Sequence, residues 1–437
     1  ALGQTRRAGG RCGALMSGFT HSLYNLLVWA AQPLLRRKLA RRAVAEPGYA
    51  VAVPERFGHY TQMAEAQSEL VWVHAVSLGE ARAAAILLKA LREALPGVRI
   101  LLTHGTATGR AEGAKLLQAG DVQVWQPWDT PAAVNAFLRH FKPCMGLLME
   151  TEVWPNLVLQ SAASGVPLAL VNARMSDKSM RSALRWPRLM KPTYAGLHAV
   201  WAQTEADAQR LRALGATVQV VTGNLKFDAE PDAAQVAQGQ AWRAALHKPV
   251  CLLASSREGE EAQWLQAVAA QPSDAHWLIV PRHPQRVDEV EALLRGAGLR
   301  VSRRSQWGDV GPTAHTEASV WLGDSLGEMA LYYSLADVAL LGGSFEPLGG
   351  QNLIEAAACA CPVVMGPHTF NFLEVADQAE VAGAARRVTD MRAGVRDAQA
   401  LAADLQAQQA MAAAALAFSQ AHKGSAQRVA ALVKGLL

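Results

Sequence analysis

The chain has 437 residues, 51% of them hydrophobic and 18% charged, which excludes a disordered protein and is long enough for two cores. The net charge of +5 is local: eight basic residues and no acid precede Glu46, leaving 34 basic against 37 acidic residues after it. With no nucleic-acid-binding motif and no general basic surface, nucleic acid is not an expected partner. The five cysteines (Cys12, Cys144, Cys251, Cys359 and Cys361) form no CxxC pair and have no accompanying histidine cluster, so no metal site or disulfide frame is expected.

The first informative stretch is Leu23–Leu35, an apolar run (LYNLLVWAAQPLL) followed at once by RRKLARR. It is shorter than the roughly 18 residues a membrane span needs. The expectation for residues 16–48 is a membrane-associated segment with its basic cluster on anionic headgroups. A helix packed on the protein and a cleaved signal peptide are the alternatives. Residues 1–15 are set aside, with Met16 as a plausible start.

From Leu70 short apolar runs alternate with helical patterns. Strands are expected at Val71–Ala75, Arg99–Thr103, Val122–Gln126, Met145–Met149, Leu168–Val171, Ala199–Gln203 and Val218–Val221. The pattern restarts at Val250, with strands at Val250–Ala254, Trp277–Val280, Ser319–Leu322, Val338–Leu341 and Pro362–Met365. Helical patterns such as Glu80–Leu95, Glu258–Ala270 and Gly350–Ala360 lie between them, and Asp390–Leu437 reads as helical. A polar stretch from Asp228 to Gln240 separates the halves. The fold class is α/β: two Rossmann-like, doubly wound domains facing a cleft, over residues 49–222 and 223–437, the second with the terminal helices. Ligands of such sheets sit at the carboxyl ends of the strands.

The strand ends carry the candidate chemistry: HAVSLGE (74–80), THGTATGR (103–110), METEVWPN (149–156), NARMSDKS (172–179) and TGNLKFD (222–228) in the first half. The second half has ASSREGEE (254–261), VPRHPQR (280–286), GDSLGEM (323–329) and GGSFEPLGGQNLIEAAA (342–358). Glu80 reads either as a first-turn charge on the helix dipole or as a base at a cleft. Arg282 and His283 suit a phosphate. Gly349 and Gly350 open a helix whose backbone N–H groups would face an anion, and Glu355 would accept ribose hydroxyls. His74 and His283 have a bland reading as structural histidines. No P-loop, complete GxGxxG or HExxH is present.

In this order HAVSLGE, METEVWPN, TGNLKFD, PRHPQR and GGSFEPLGGQNLIEA with GPHTFNF resemble the 3-deoxy-D-manno-octulosonic acid (Kdo) transferases of lipopolysaccharide synthesis. The resemblance implies the GT-B glycosyltransferase fold and transfer of Kdo from CMP-Kdo to the tetra-acylated lipid A precursor. It places the reaction at the cytoplasmic face of the inner membrane, with no cofactor and no metal. It implies Glu80 as catalytic base and Glu152 as a second active-site carboxylate. Donor binding falls to Lys226, Arg282, His283, Gly327, Glu328, Gly349, Gly350, Asn352 and Glu355, and acceptor binding to Ser77, Gly79, Thr106 and Arg174. The chain departs from the family pattern at Gln351 and Arg257, where histidine is common. The rivals are another GT-B sugar-nucleotide enzyme, such as a UDP-N-acetylglucosamine 2-epimerase, and a membrane-peripheral scaffold without catalysis.

Overall fold

In the computed structural model, which describes residues 6–65 and 70–437 with side chains from residue 18 onward, Leu70–His74 is buried along its whole length. The positions of the Cys12 and Met16 side chains lie outside the described residues. Leu70 and Trp72 enter one apolar layer and Val71 and Val73 the other, because successive side chains of a strand point to opposite faces. An apolar run without polar alternation therefore becomes a strand covered on both sides.

This strand, β1, belongs to a sheet with β2 (Arg99–His104), β3 (Val122–Trp125), β4 (Met145–Met149), β5 (Leu168–Ala173), β6 (Ala199–Ala202) and β7 (Val218–Val221). The order is β3-β2-β1-β4-β5-β6-β7, and every pairing is parallel. Gly146 on β4 shows how tightly the layers close: a Cβ there would stand 2.4 Å from Leu168 Cδ2 and 2.7 Å from the Trp72 ring. The second sheet contains β8 (Val250–Ser256), β9 (His276–Pro281), β10 (Val301–Arg303), β11 (Val320–Leu322), β12 (Val338–Leu341), β13 (Val363–Met365) and β14 (Ala385–Arg387), in the order β10-β11-β9-β8-β12-β13-β14, again all parallel. The twelve expected strands are present, three with both ends as expected and the others with ends moved by at most two residues. The sequence reading omits β10 and β14.

The chain divides into two compact units, 1–228 with 424–437, and 229–423. The expected boundary left 223–437 together, but the last helix, Ser425–Leu436, belongs to the first unit. Its stripe Ala426, Val429, Ala430 and Val433 packs into the layer that contains Leu87 and Leu91 of helix Leu78–Ala94. The Asp228 carboxylate accepts from the N–H of Ala426 at 2.6 Å and from that of Gly424, and so caps the helix. The polar stretch after Asp228 is not an open linker. Asp232 caps a helix over Ala233–Ala244, accepting from the N–H groups of Ala234 and Gln235.

The N-terminal segment forms two helices, Arg6–Ala30 and Gln32–Ala45, parted at Ala31, with Pro33 in the first turn of the second, where a missing N–H costs nothing. His21, Tyr24, Asn25 and Val28 share one helix face. His21 Nε2 is 2.8 Å from Asn156 Oδ1, and Tyr24 O–H donates to Asp129 at 2.6 Å. Asn156 donates to Asn25 Oδ1, and Trp128 Nε1 donates to Val28 O. The polar groups therefore face the protein, while Phe19, Leu26, Leu27 and Trp29 are exposed. A helix of a soluble protein is arranged the other way round. Among the described residues no helix is long and apolar enough to cross a membrane.

Asp129 is the anchor of this arrangement. Its carboxylate also accepts from the N–H groups of Asn156 and Leu157 at 3.1 and 2.8 Å. Asp129→Ala removes the acceptor of these bonds and of Tyr24; the expected cost is about 1–3 kcal/mol per group left unpaired in the interior. Hydrogen exchange over residues 18–30 should accelerate more than over β1, and equal protection in the two proteins would contradict this anchoring.

Candidate active site

In the first sheet the chain reverses direction between β1 and β4, and in the second between β8 and β12. Loops leaving those strands are where a doubly wound sheet holds ligands. The loop after β1 carries Ser77, the N-cap of helix Leu78–Ala94, and Glu80 in its first turn. Ser77 Oγ is 3.4 Å from the Glu80 N–H and donates to Glu80 Oε1 at 3.0 Å, while the Val76 N–H donates to Oε2 at 2.8 Å. The bland reading is therefore realised: Glu80 does cap its helix. Each carboxylate oxygen keeps a second lone pair for another donor.

The electrostatics go further than a cap requires. Burial raises the Glu80 carboxyl to about 7; the Val76 N–H pulls it down, and the nearby Glu150 and Glu152 carboxylates push it up. Burial also raises Glu152, against the 2.9 Å bond it accepts from Trp154 Nε1. A carboxyl group that titrates near neutrality can both accept and release a proton there.

Glu150, which stands with Glu152 just past the strand and to which the sequence assigns no role, is central to this cluster. It is buried in a left-handed conformation at φ 55° just past β4. Its oxygens lie 3.5 Å from Lys226 Nζ and 4.0 Å from the Arg174 guanidinium. Lys226, expected with the donor group, thus stands in the first unit beside Glu150. Its turn is held in place by buried Asn172, whose Oδ1 accepts from the Leu225 N–H at 3.0 Å.

Two expected acceptor contacts have structural duties. The Ser77 hydroxyl caps one helix. The Thr106 hydroxyl accepts from the Gly109 N–H at 3.1 Å and donates to Val76 O at 3.0 Å, fixing the β2 loop on the β1 loop. Gly79 is exposed beside Glu80. His74 is fully buried with Nδ1 2.8 Å from Thr103 Oγ1, and burial, then His104, drives it down to about 3. It is a neutral structural histidine.

In the second unit Glu260 and Glu261 open helix Glu260–Ala270, and both are buried. The Glu260 carboxylate accepts from the N–H groups of Arg257, Gly343 and Phe345 at 2.8, 2.8 and 3.1 Å, which joins the loops after β8 and β12. Glu261 forms a two-pronged pair with Arg286 at 2.8 and 3.1 Å and accepts from Ser256 Oγ at 2.7 Å. These bonds fix both ends of the turn bearing Arg282 and His283, which are exposed.

Arg282 Nε donates to Gln351 Oε1 at 3.0 Å. Gln351 thus fills its position as a neutral acceptor that fixes the guanidinium plane. Burial, then Arg257 and Arg282, lowers His283. The two departures from the family pattern meet at Gly343, where a Cβ would lie 3.0 Å from Gln351 Nε2 and 3.6 Å from Arg257 Cγ, and whose φ of 71° favours glycine.

The anion cradle expected at Gly349 and Gly350 is not open. Both have positive φ, and the turn folds back so that Gly350 N–H donates to Gly343 O at 2.7 Å and Gln351 N–H to Gly342 O at 3.1 Å. The helix that follows, Leu353–Ala358, is six residues long and capped by Asn352 Oδ1, which accepts from the Ile354 N–H. Glu355 is exposed on it. Gly327 has φ 86°, and Glu328 is tied to Arg304 at 3.0 Å and to Ser325. Both therefore shape the loop after β11.

Comparison with known proteins gives the family and the fold. A model of the 3-deoxy-D-manno-octulosonic-acid transferase (kdotransferase) family matches residues 52–229. A 3-deoxy-D-manno-octulosonic acid transferase of Bordetella pertussis is 47% identical over 421 residues, covering 93% of this chain and 97% of the relative. The Haemophilus influenzae protein of the same name is 30% identical over 359 residues, covering 80% and 83%. A Rickettsia africae glycosyltransferase structure matches 85% of this chain and 99% of its own, with TM-score 0.56 and 12% identity. The UDP-GlcNAc 2-epimerase of Neisseria meningitidis matches 84% and 99%, with TM-score 0.55 and 15% identity. These structures share the two-domain GT-B fold. By its sequence relatives the chain belongs to the 3-deoxy-D-manno-octulosonic acid transferase family and is a glycosyltransferase.

Proposed function

We propose that this enzyme transfers Kdo from CMP-Kdo to the tetra-acylated lipid A precursor with inversion, at the cytoplasmic face of the inner membrane. The observation that carries the reading is Glu80, raised to about 7 at the switch point of the first sheet. A sugar hydroxyl is a poor nucleophile until its proton is removed. Glu80 takes that proton as the hydroxyl oxygen bonds to the anomeric carbon of Kdo, and the bond from that carbon to the CMP phosphate breaks. Such base assistance is worth about 10²–10⁴-fold.

CMP leaves as a phosphate ester stable as an anion, so it needs electrostatic stabilisation rather than a proton. Arg282 and His283, with Arg257 near them, supply it. Glu355 holds the ribose, and Asn352 sets the start of its helix. Glu150 keeps Arg174 and Lys226 beside the reacting carboxylates, where they bind acidic groups of the substrates. The outward apolar face of the first helix and the run Arg36 to Arg42 hold the enzyme on an anionic membrane surface.

Gln351→Ala frees Arg282 without removing its charge. Hydrogen bonds to charged groups contribute about 1.5–3 kcal/mol, so CMP affinity by calorimetry should fall roughly tenfold or more. Gln351→His should recover most of it, since a neutral imidazole also accepts. Unchanged CMP affinity in Gln351→Ala would remove Gln351 from the donor site. The reaction itself is tested by the mass of the lipid product.

A further inference from the structure

We propose that a groove in the first unit takes one acyl chain of the lipid acceptor, so that the enzyme holds that lipid by a tail as well as by its sugar. This rests on the acceptor class argued above. The cavity measures about 580 Å³ and is lined by Leu23, Leu27, Val153, Met175, Trp186 and Met190, among others. Pockets that hold small ligands run from about 300 to 1,000 Å³. One wall is the N-terminal helix, fixed by its polar face. The opposite wall is helix Pro187–Ala195. The lining includes hydroxyls but no charged group. A peptide would bring backbone donors and acceptors that an apolar wall leaves unpaired; a hydrocarbon chain brings none.

The rim identifies the other end of the occupant. Lys178, Arg181, Arg185, Arg188 and Lys191 are exposed, and each is next in the chain to a residue of the lining (Ser179, Ser182, Trp186, Leu189 and Met190). Asp177, the sole acid between residues 174 and 191, is held by Arg210 at 2.7 Å. Charge and lining together fit an apolar chain carrying an anionic headgroup.

The groove also joins the reaction site. Thr151, Val153 and Trp154 line it and flank Glu152, whose carboxylate accepts from the Trp154 indole. A sugar at Glu80, Glu150 and Glu152 and a tail in the groove can thus belong to one molecule. A bilayer phospholipid tail in the groove is the competing source of the same chemistry.

The test compares wild type with Ser182→Trp, which fills the groove from an exposed position, and Trp186→Ala, which removes part of its wall. Acceptors are the tetra-acylated disaccharide bisphosphate, versions with shortened chains, and the fully deacylated form. Each buried methylene is worth up to about fourfold in affinity, so KM for wild type should climb as chains shorten. Loss of several methylene contacts in Ser182→Trp should raise KM for the tetra-acylated acceptor about tenfold or more and flatten the chain-length dependence. Trp186→Ala should shift KM in the same direction by less. KM for the deacylated acceptor and binding to phosphatidylglycerol vesicles should stay within about twofold of wild type.

Equal changes on acylated and deacylated acceptors, or no change on either, overturn the groove. A parallel loss of vesicle binding overturns it in favour of a bilayer lipid. Binding of the tetra-acylated lipid to Glu80→Gln reads the groove without turnover. If wild type modifies no acceptor while that binding still depends on chain length and on Ser182, the transfer reading alone fails; if the binding shows neither dependence, the groove fails as well.

Discussion

Replacing Glu80 by glutamine should reduce kcat by about 10²–10⁴-fold while leaving CMP affinity near wild type. The substitution is a clean one. A glutamine carbonyl oxygen can still accept from the Val76 N–H, and its amide can donate to Ser77 Oγ, so the helix start survives. Only the proton acceptor is lost. The pH dependence gives a second readout. Burial raises this carboxyl to about 7, and the reaction uses its ionised form, so kcat/KM should fall about tenfold per unit as pH drops below 7. The stability sign is opposite. The native carboxyl titrates above its unfolded value, so its contribution is complete below the unfolded pKa and is lost as pH rises through about 7. Wild type should therefore lose stability relative to Glu80→Gln as pH rises from about 4.5 to about 7. A Glu80→Gln enzyme with near-normal kcat would make Glu80 a cap and nothing more, and would turn attention to Glu152.

The largest effect on stability is expected at Glu261. Its carboxylate is 1% exposed and pairs with an Arg286 side chain that is 10% exposed. Glu261→Ala leaves a guanidinium without its main partner in the interior, which costs about 3–5 kcal/mol. The loss should be local to the second unit, because Glu261 ties the end of β8 to the turn after β9. With two units a single unfolding midpoint is a poor measure, so amide hydrogen exchange in β8 and β9 is the better one. Protection there should collapse while β1 and β4 stay protected. The double change Glu261→Leu with Arg286→Met should cost less than Glu261→Ala, since neither charge is then stranded. If Glu261→Ala leaves β8 protection unchanged, the pair is not what holds the turn that bears Arg282 and His283.

Much of the fold is legible because buried parallel strands are continuous apolar runs. LVWVH, MGLLM and VALL each announce themselves. β10 and β14 do not: Val301-Ser302-Arg303 and Ala385-Arg386-Arg387 are three-residue edge strands with no apolar run, present because a neighbouring strand offers a partner. The last helix was legible as a helix but not as part of the first unit. Its Ala and Val stripe says that it packs and not against what.

The candidate site was legible where chemistry-bearing side chains sit next to a strand end, as at Glu80, Arg282 and His283. It was opaque where a role depends on neighbours far along the chain. Glu150 resembles any loop acid until Arg174 and Lys226 stand beside it. Glu260 and Glu261 resemble dipole charges at a helix start until burial shows them holding the backbone of another loop and a guanidinium. The Gly349–Gly350 turn misleads for the converse reason. The N–H groups of Gly350 and Gln351 look free in sequence, but the turn, with positive φ at both glycines, points them onto Gly343 O and Gly342 O.

The most direct test is the mass of the lipid after incubating the wild-type enzyme with CMP-Kdo, generated in situ, and the tetra-acylated lipid A precursor, with Glu80→Ala in parallel. The expected result is a wild-type product heavier by one or more Kdo residues and unmodified lipid with Glu80→Ala, although both proteins bind CMP. Wild-type enzyme that binds CMP and leaves the lipid unmodified would contradict the transfer, and a Glu80→Ala protein that yields product at near the wild-type rate would contradict Glu80 as its base.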